Sequence, residues 1–228
     1  MSRIPNMNKV KAIDFNEDSY MVKRIQHFMN YDNIGFDLSD DKSKTKFIDY
    51  VETIVRRSFE YTELIRTLKE RIGMTKCSYF PKVDNSLRGI TIEVHHSPFS
   101  LYDIVDIVLK TYLENDMEIT PAKIAQETIF LHYSGLVGLI PVCKTVHELI
   151  HDGQIFVPIN YVFGDIGEFF NRYREYMSSH QKEMLVKNIK VTDELANTPP
   201  SILKKKFVYL DVEGFVMPAY VKKIKKKN

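Results

Sequence analysis

No stretch of the 228 residues approaches 18 uninterrupted apolar positions, so a membrane-spanning helix is not expected. The opening run, MSRIPNMNKVKAIDF, has no apolar core, so a secretory leader is not expected either. Two cysteines, Cys77 and Cys143, are too few for a disulfide framework or a four-cysteine zinc site, and a reducing cytoplasm is the expected compartment. There are no internal repeats. No zinc-finger, helix-turn-helix or RNA-recognition signature is present to supply sequence specificity.

What is there is an ordinary globular composition, 44% hydrophobic and 27% charged, in a chain long enough for one good-sized domain. The net charge of +2 conceals an asymmetry. From Ser201 onward eight lysines face Asp211 and Glu213, giving +6 there and −4 for the remainder. Such an end attracts phosphates in a salt-sensitive way, or simply keeps the surface solvated.

Apolar residues from Phe47 to Leu68 recur at three- and four-residue spacing, which predicts a helix that Gly73 stops, after a polar loop over 30–46. Residues 87–94 read as a strand, and a helix follows from Ser100. Another helix starts at Thr120–Pro121, a cap followed by proline at the first helical position, and ends near Gly135. The run 136–142 predicts a short strand. Thr145 and Glu148 have the spacing of a capping box for a helix over 146–152, which Gly153 ends. A strand over 154–158, helices near 165–178 and 181–196, a boundary at Pro199–Pro200 and a β-rich segment over 207–221 complete the reading.

Four of the seven histidines fall in two tight groups, EVHH (93–96) and VHELIH (146–151). His147 and His151 are four apart on a helix, so both rings can reach one metal ion. His27, His132 and His180 stand alone and read as packing residues. The string HELIH also matches the H-E-x-x-H of zinc metallopeptidases, in which the glutamate is the general base. That reading is the weaker one, because the helix is short and capped and Glu148 already serves the cap.

The two groups together resemble the HNH (ββα-metal) nucleases, in their histidine-rich, colicin-like variety. The pieces are Glu93-Val94-His95-His96 at a strand end, Leu139-Ile140-Pro141-Val142-Cys143-Lys144, and His147 to His151-Asp152-Gly153. The resemblance covers residues 93–153. It implies an α+β fold: a mostly helical single domain enclosing a ββα-metal finger, with a helical insertion at 100–135 between its strands. The regions would be 1–80 helical, 81–160 the finger, and 161–228 the last helices with a β-rich basic tail.

The resemblance further implies metal-dependent hydrolysis of phosphodiester bonds in nucleic acid, DNA foremost. His95, His147 and His151 would hold one divalent ion (zinc, magnesium or manganese), with His96 as general base and Glu93 supporting a ligand ring. Arg88, Lys144, Lys204, Lys205 and Lys206 would contact nucleic acid. The family's middle asparagine falls on Gly138, so the alternative is a catalytically degenerate DNA-binding or structural protein. On that alternative Gly138→Asn is expected to restore some activity, provided the backbone there does not need a positive φ.

Overall fold

The computed structural model describes residues 35–80 and 82–197, together with the strand residues 207–212 and 215–220. Among these residues there are seven α-helices and two small antiparallel sheets.

The first amphipathic stretch is two helices rather than one, α1 (Asp41–Arg57) and α2 (Phe59–Glu70). Ser58 explains the break. Its hydroxyl donates to the Val55 carbonyl and accepts the Tyr61 N–H, closing one helix and opening the next. The polar stretch expected to be loop through 46 turns helical at Asp41, because the Asp40 carboxylate caps the Ser43 N–H at 2.8 Å. Buried Phe47, Ile48, Val51, Ile54 and Val55 form the inner stripe of α1.

Strand β1 (Ile92–His96) leads into α3 (Leu101–Glu114), which a Ser100–Asp103 capping box starts. Six apolar residues of α3 are buried, from Leu101 to Leu109, so it is a core helix. Next comes α4 (Pro121–Tyr133), capped by Thr120 with proline at its start, as the sequence predicts. Helices α1, α3 and α4 pack on one another.

After α4 the chain returns as β2 (Leu139–Cys143) and pairs with β1, placing His95 opposite Ile140 and Glu93 opposite Val142. Both helices of the 100–135 segment therefore lie in the connection between paired strands. Helix α5 (Lys144–His151) follows β2 without a loop and packs on both strands.

The strand expected over 154–158 does not form. Instead a 3₁₀ turn (Ile159–Tyr161) swings the chain round, and Phe163 makes a reciprocal pair of 2.8 Å backbone bonds with Leu139. Helices α6 (Ile166–Tyr173) and α7 (Ser179–Asn197) come next. The segment expected to be β-rich forms a hairpin of β3 (Phe207–Val212) and β4 (Phe215–Tyr220). Pro199 and Pro200 lie outside the described residues. No described helix is long and apolar enough to cross a membrane.

Candidate metal centre

The centre begins with strand alternation, which sends consecutive side chains to opposite faces. His95 leaves β1 on the side where α5 packs. His147 and His151, one helical turn apart, face it from α5. The ring centroids lie 4.8 Å (His95–His147), 5.0 Å (His95–His151) and 4.6 Å (His147–His151) apart. One ring nitrogen from each falls within 4.8 Å of the others. This is wider than the roughly 3–4 Å expected for nitrogens sharing one ion. The Nε2 atoms of His147 and His151 are already 3.0 Å apart.

Glu93, two residues before His95 on the same strand face, holds His147. Its carboxylate accepts from His147 Nδ1–H at 2.5 Å. That bond commits the Nδ1 proton and leaves Nε2 with the lone pair that a metal needs, the usual arrangement for a ligand histidine. Burial, and then the neighbouring His147 and His151, push the pKa of His95 down to about 3. Its ring is therefore neutral at pH 7. His151 is exposed, His147 and His95 are partly buried, and the group opens to solvent along α5.

His96, expected as the base, is placed elsewhere. It points to the opposite face of β1 and is 7% exposed. There its Nε2 meets His132 Nε2 at 2.9 Å, and its ring stacks on Tyr61. Burial, then His132 and Arg56, holds its pKa well below the usual histidine range. The second partner is His132, which the sequence presents as a packing residue. Its Nδ1 donates to the Thr128 carbonyl at 2.7 Å, one turn back on α4. A carbonyl only accepts, so in the neutral ring Nε2 accepts a hydrogen bond from His96 Nε2–H. No local spacing signals this pair, since 36 residues separate its members.

The capping box expected at Thr145 and Glu148 is absent. Helix α5 starts two residues earlier than that box requires, with Cys143 at its cap position. Glu148 turns to solvent, 3.9 Å from Lys144. Gly138 has no positive φ; close approach is what requires glycine there. A Cβ would lie 1.9 Å from the Ser97 carbonyl oxygen and within 2.7 Å of Ile166 and Val162 side-chain atoms. The strand ends are braced instead by Ser97 N–H donating to the Gly138 carbonyl at 3.0 Å. Of the expected nucleic-acid contacts, Lys144 is exposed at the start of α5 and Arg88 is exposed in the turn before β1. Lys204, Lys205 and Lys206 lie outside the described residues.

Compared with known protein families, the chain matches the model of the Bacteriophage G278-like virion proteins over residues 1–214. It belongs to that family. Neither a curated protein nor a solved structure matches it significantly. The matched range includes the histidine group and the helical segment between its strands.

Proposed function

We propose that the chain is a virion component carrying a ββα-metal site of HNH type, and that the site hydrolyses phosphodiester bonds in nucleic acid, DNA foremost. The virion role comes from the family's description. One observation carries the chemical reading: His95, His147 and His151 converge from an antiparallel strand pair and the helix that follows it. The order of those elements is the order the resemblance requires.

The donor set fits a borderline-soft transition ion such as zinc better than magnesium, which prefers oxygen ligands. Three protein ligands are too few for a closed structural zinc site, which has four, and suit one with an open position for substrate. This count, made among the described residues, favours catalysis over a purely structural staple. A bound divalent ion would polarise a phosphoryl oxygen and acidify water. The chain's own part is to fix the rings: Glu93 orients His147, and the β1–β2 pairing sets His95 against α5. Lys144, exposed beside the group, attracts backbone phosphate. His96 takes no part in proton transfer while it is bonded to His132, so we assign it to holding the strand end. The peptidase reading lacks support, because Glu148 lies on the solvent side of α5, paired with Lys144.

The test is cleavage of plasmid and single-stranded DNA by the full chain with added zinc, manganese or magnesium, alongside His147→Ala and Glu93→Gln. Cleavage by the wild type should be lost in His147→Ala and lowered about 10–100-fold in Glu93→Gln, through weaker metal binding. Metal-loaded, folded protein that cuts neither substrate under any of the three ions would overturn the hydrolase reading while leaving the metal site standing.

A further inference from the structure

The end of α3, the turn that follows it and one face of α4 line a cavity of about 520 Å³. None of its lining residues belongs to the histidine group. The turn is firmly held. Met117 N–H donates to the Tyr112 carbonyl at 3.0 Å, and the chain passes through Asp116 at a φ of 50°. The Asn115 side-chain amide donates to the Thr111 carbonyl at 2.7 Å and to the Tyr176 hydroxyl at 3.0 Å. Across from the turn, α4 presents Lys123, Gln126, Glu127 and Phe130, which three- and four-residue spacing puts on one helical face.

Two large apolar side chains of the lining, Met117 and Phe130, are left 46% and 43% exposed. The charges of the lining do not balance. Glu118 is paired with Lys123, whereas Glu127 has neither a hydrogen bond nor an ion pair among the described residues. Burial acts on the Glu127 carboxylate unopposed and raises its pKa. Burial, and then Glu127, raises the pKa of Tyr112, so ring and carboxylate are neighbours in the cavity. A half-buried carboxylate without a counter-charge carries a desolvation cost that a cation beside it would offset.

We infer that this cavity is a binding site for a small aliphatic amine, taken up as its ammonium ion. The ammonium group donates to the Glu127 carboxylate beside the rings of Tyr112 and Phe130, whose π-systems attract a cation. The alkyl arm covers Met117 and Phe130 and removes their apolar surface from water. The lining selects this class against others. An anion would meet Glu127 and Glu118, and an uncharged alcohol would leave the Glu127 charge unmatched. A calcium or magnesium ion needs several oxygen ligands, and only one carboxylate of the lining is unpaired. The volume is that of a small-molecule site. The site is separate from the histidine group and does not depend on the hydrolase reading.

The experiment is calorimetric titration of the full chain with n-pentylamine at pH 7 in the presence of a chelator. Saturable binding is expected, with n-pentanol and pentanoate at least about 10-fold weaker because neither carries the positive charge. Glu127→Gln should lose at least about 10-fold in affinity without a fall in melting temperature, since it removes an unpaired charge and breaks no bond. Phe130→Ala should weaken binding about 2–5-fold. His147→Ala should bind the amine as the wild type does. Equal affinity for pentylamine and pentanol, or unchanged binding by Glu127→Gln, would overturn the inference. So would binding of Nα-acetyl-lysine N-methylamide at least about 10-fold tighter than pentylamine, which would make a protein lysine the occupant.

Discussion

At the scale of single residues, the pair of adjacent histidines is divided by the pleat of one strand. His95 goes to the candidate metal group and His96 to a hydrogen-bonded chain through His132 to the Thr128 carbonyl. Replacing His132 with Phe strands a buried N–H on His96, and a loss of about 1–3 kcal/mol in urea unfolding is expected. A double-mutant cycle with His96→Phe should be non-additive, because either single change breaks the same bond. His132 also predicts a pH effect. Burial outweighs the bond to Thr128, and with a further contribution from Arg56 the ring's pKa falls to about 4. The groups facing it are His96 from β1, Tyr61 from α2 and Arg56 from α1.

An unfolded histidine titrates near about 6.5, so between that value and about 4 the unfolded chain binds the extra proton. Stability is therefore full above about pH 6.5 and falls as the pH drops toward 4; His132→Phe should flatten that slope in melts across the window. Gly138→Asn, by contrast, should repair nothing. Its Cβ would collide with backbone oxygen, and a loss of at least about 1–3 kcal/mol is expected, without recovered activity.

At the scale of elements, two polar side chains illustrate how position decides worth. Glu148 has the spacing of a capping residue but faces water, so Glu148→Ala should change the melting temperature little; exposed pairs of this kind contribute about 0.3–0.5 kcal/mol. Asp106 on α3 is buried and joins three helices. It takes Lys44 of α1 at 2.8 Å, Lys110 of its own helix at 2.7 Å, and Gln181 of α7 at 3.2 Å. Burial would raise its pKa, but the bonds from Lys110 and Lys44 together prevail and lower it. Its contribution is thus present above the unfolded value, near about 3.9, and is lost as the pH falls through the lower folded value. Asp106→Ala should cost about 1–3 kcal/mol, because it leaves two lysines without their acceptor and the Gln181 amide with its bond to Asp103 alone. Chemical denaturation at pH 7 checks it.

At the scale of the whole molecule, the histidine group joins parts of the chain that are more than fifty residues apart, His95 and His147. An ion that binds only the folded state stabilises by mass action, about 2.7 kcal/mol at one hundred times its dissociation constant. Zinc or cobalt should therefore raise the melting temperature of the full chain, and a chelator should reverse the rise. His147→Ala should abolish the shift, whereas His96→Phe, though less stable, should retain it. A wild-type melt indifferent to both ions would remove the metal site, and with it the proposed chemistry.

Much of this was determined by local sequence. The Thr120–Pro121 start of α4, the helix from Ser100 and the placement of His147 and His151 on one helical face depend on residues a few positions apart. Their capping and periodicity are visible in any short window. The motif order also anticipated that His95 would meet the helix histidines across an inserted segment.

Tertiary structure decided the rest. The break at Ser58 needed only a serine's two hydrogen bonds, yet the continuous apolar stripe concealed it. The missing strand at 154–158 gave way because Phe163, not that segment, pairs with Leu139. Cys143 displaced Thr145 as cap because β2 runs directly into α5. The His96–His132 bond joins residues brought together only by packing. Their spacing carries no signal, because the partner of a buried polar group is chosen by the core around it.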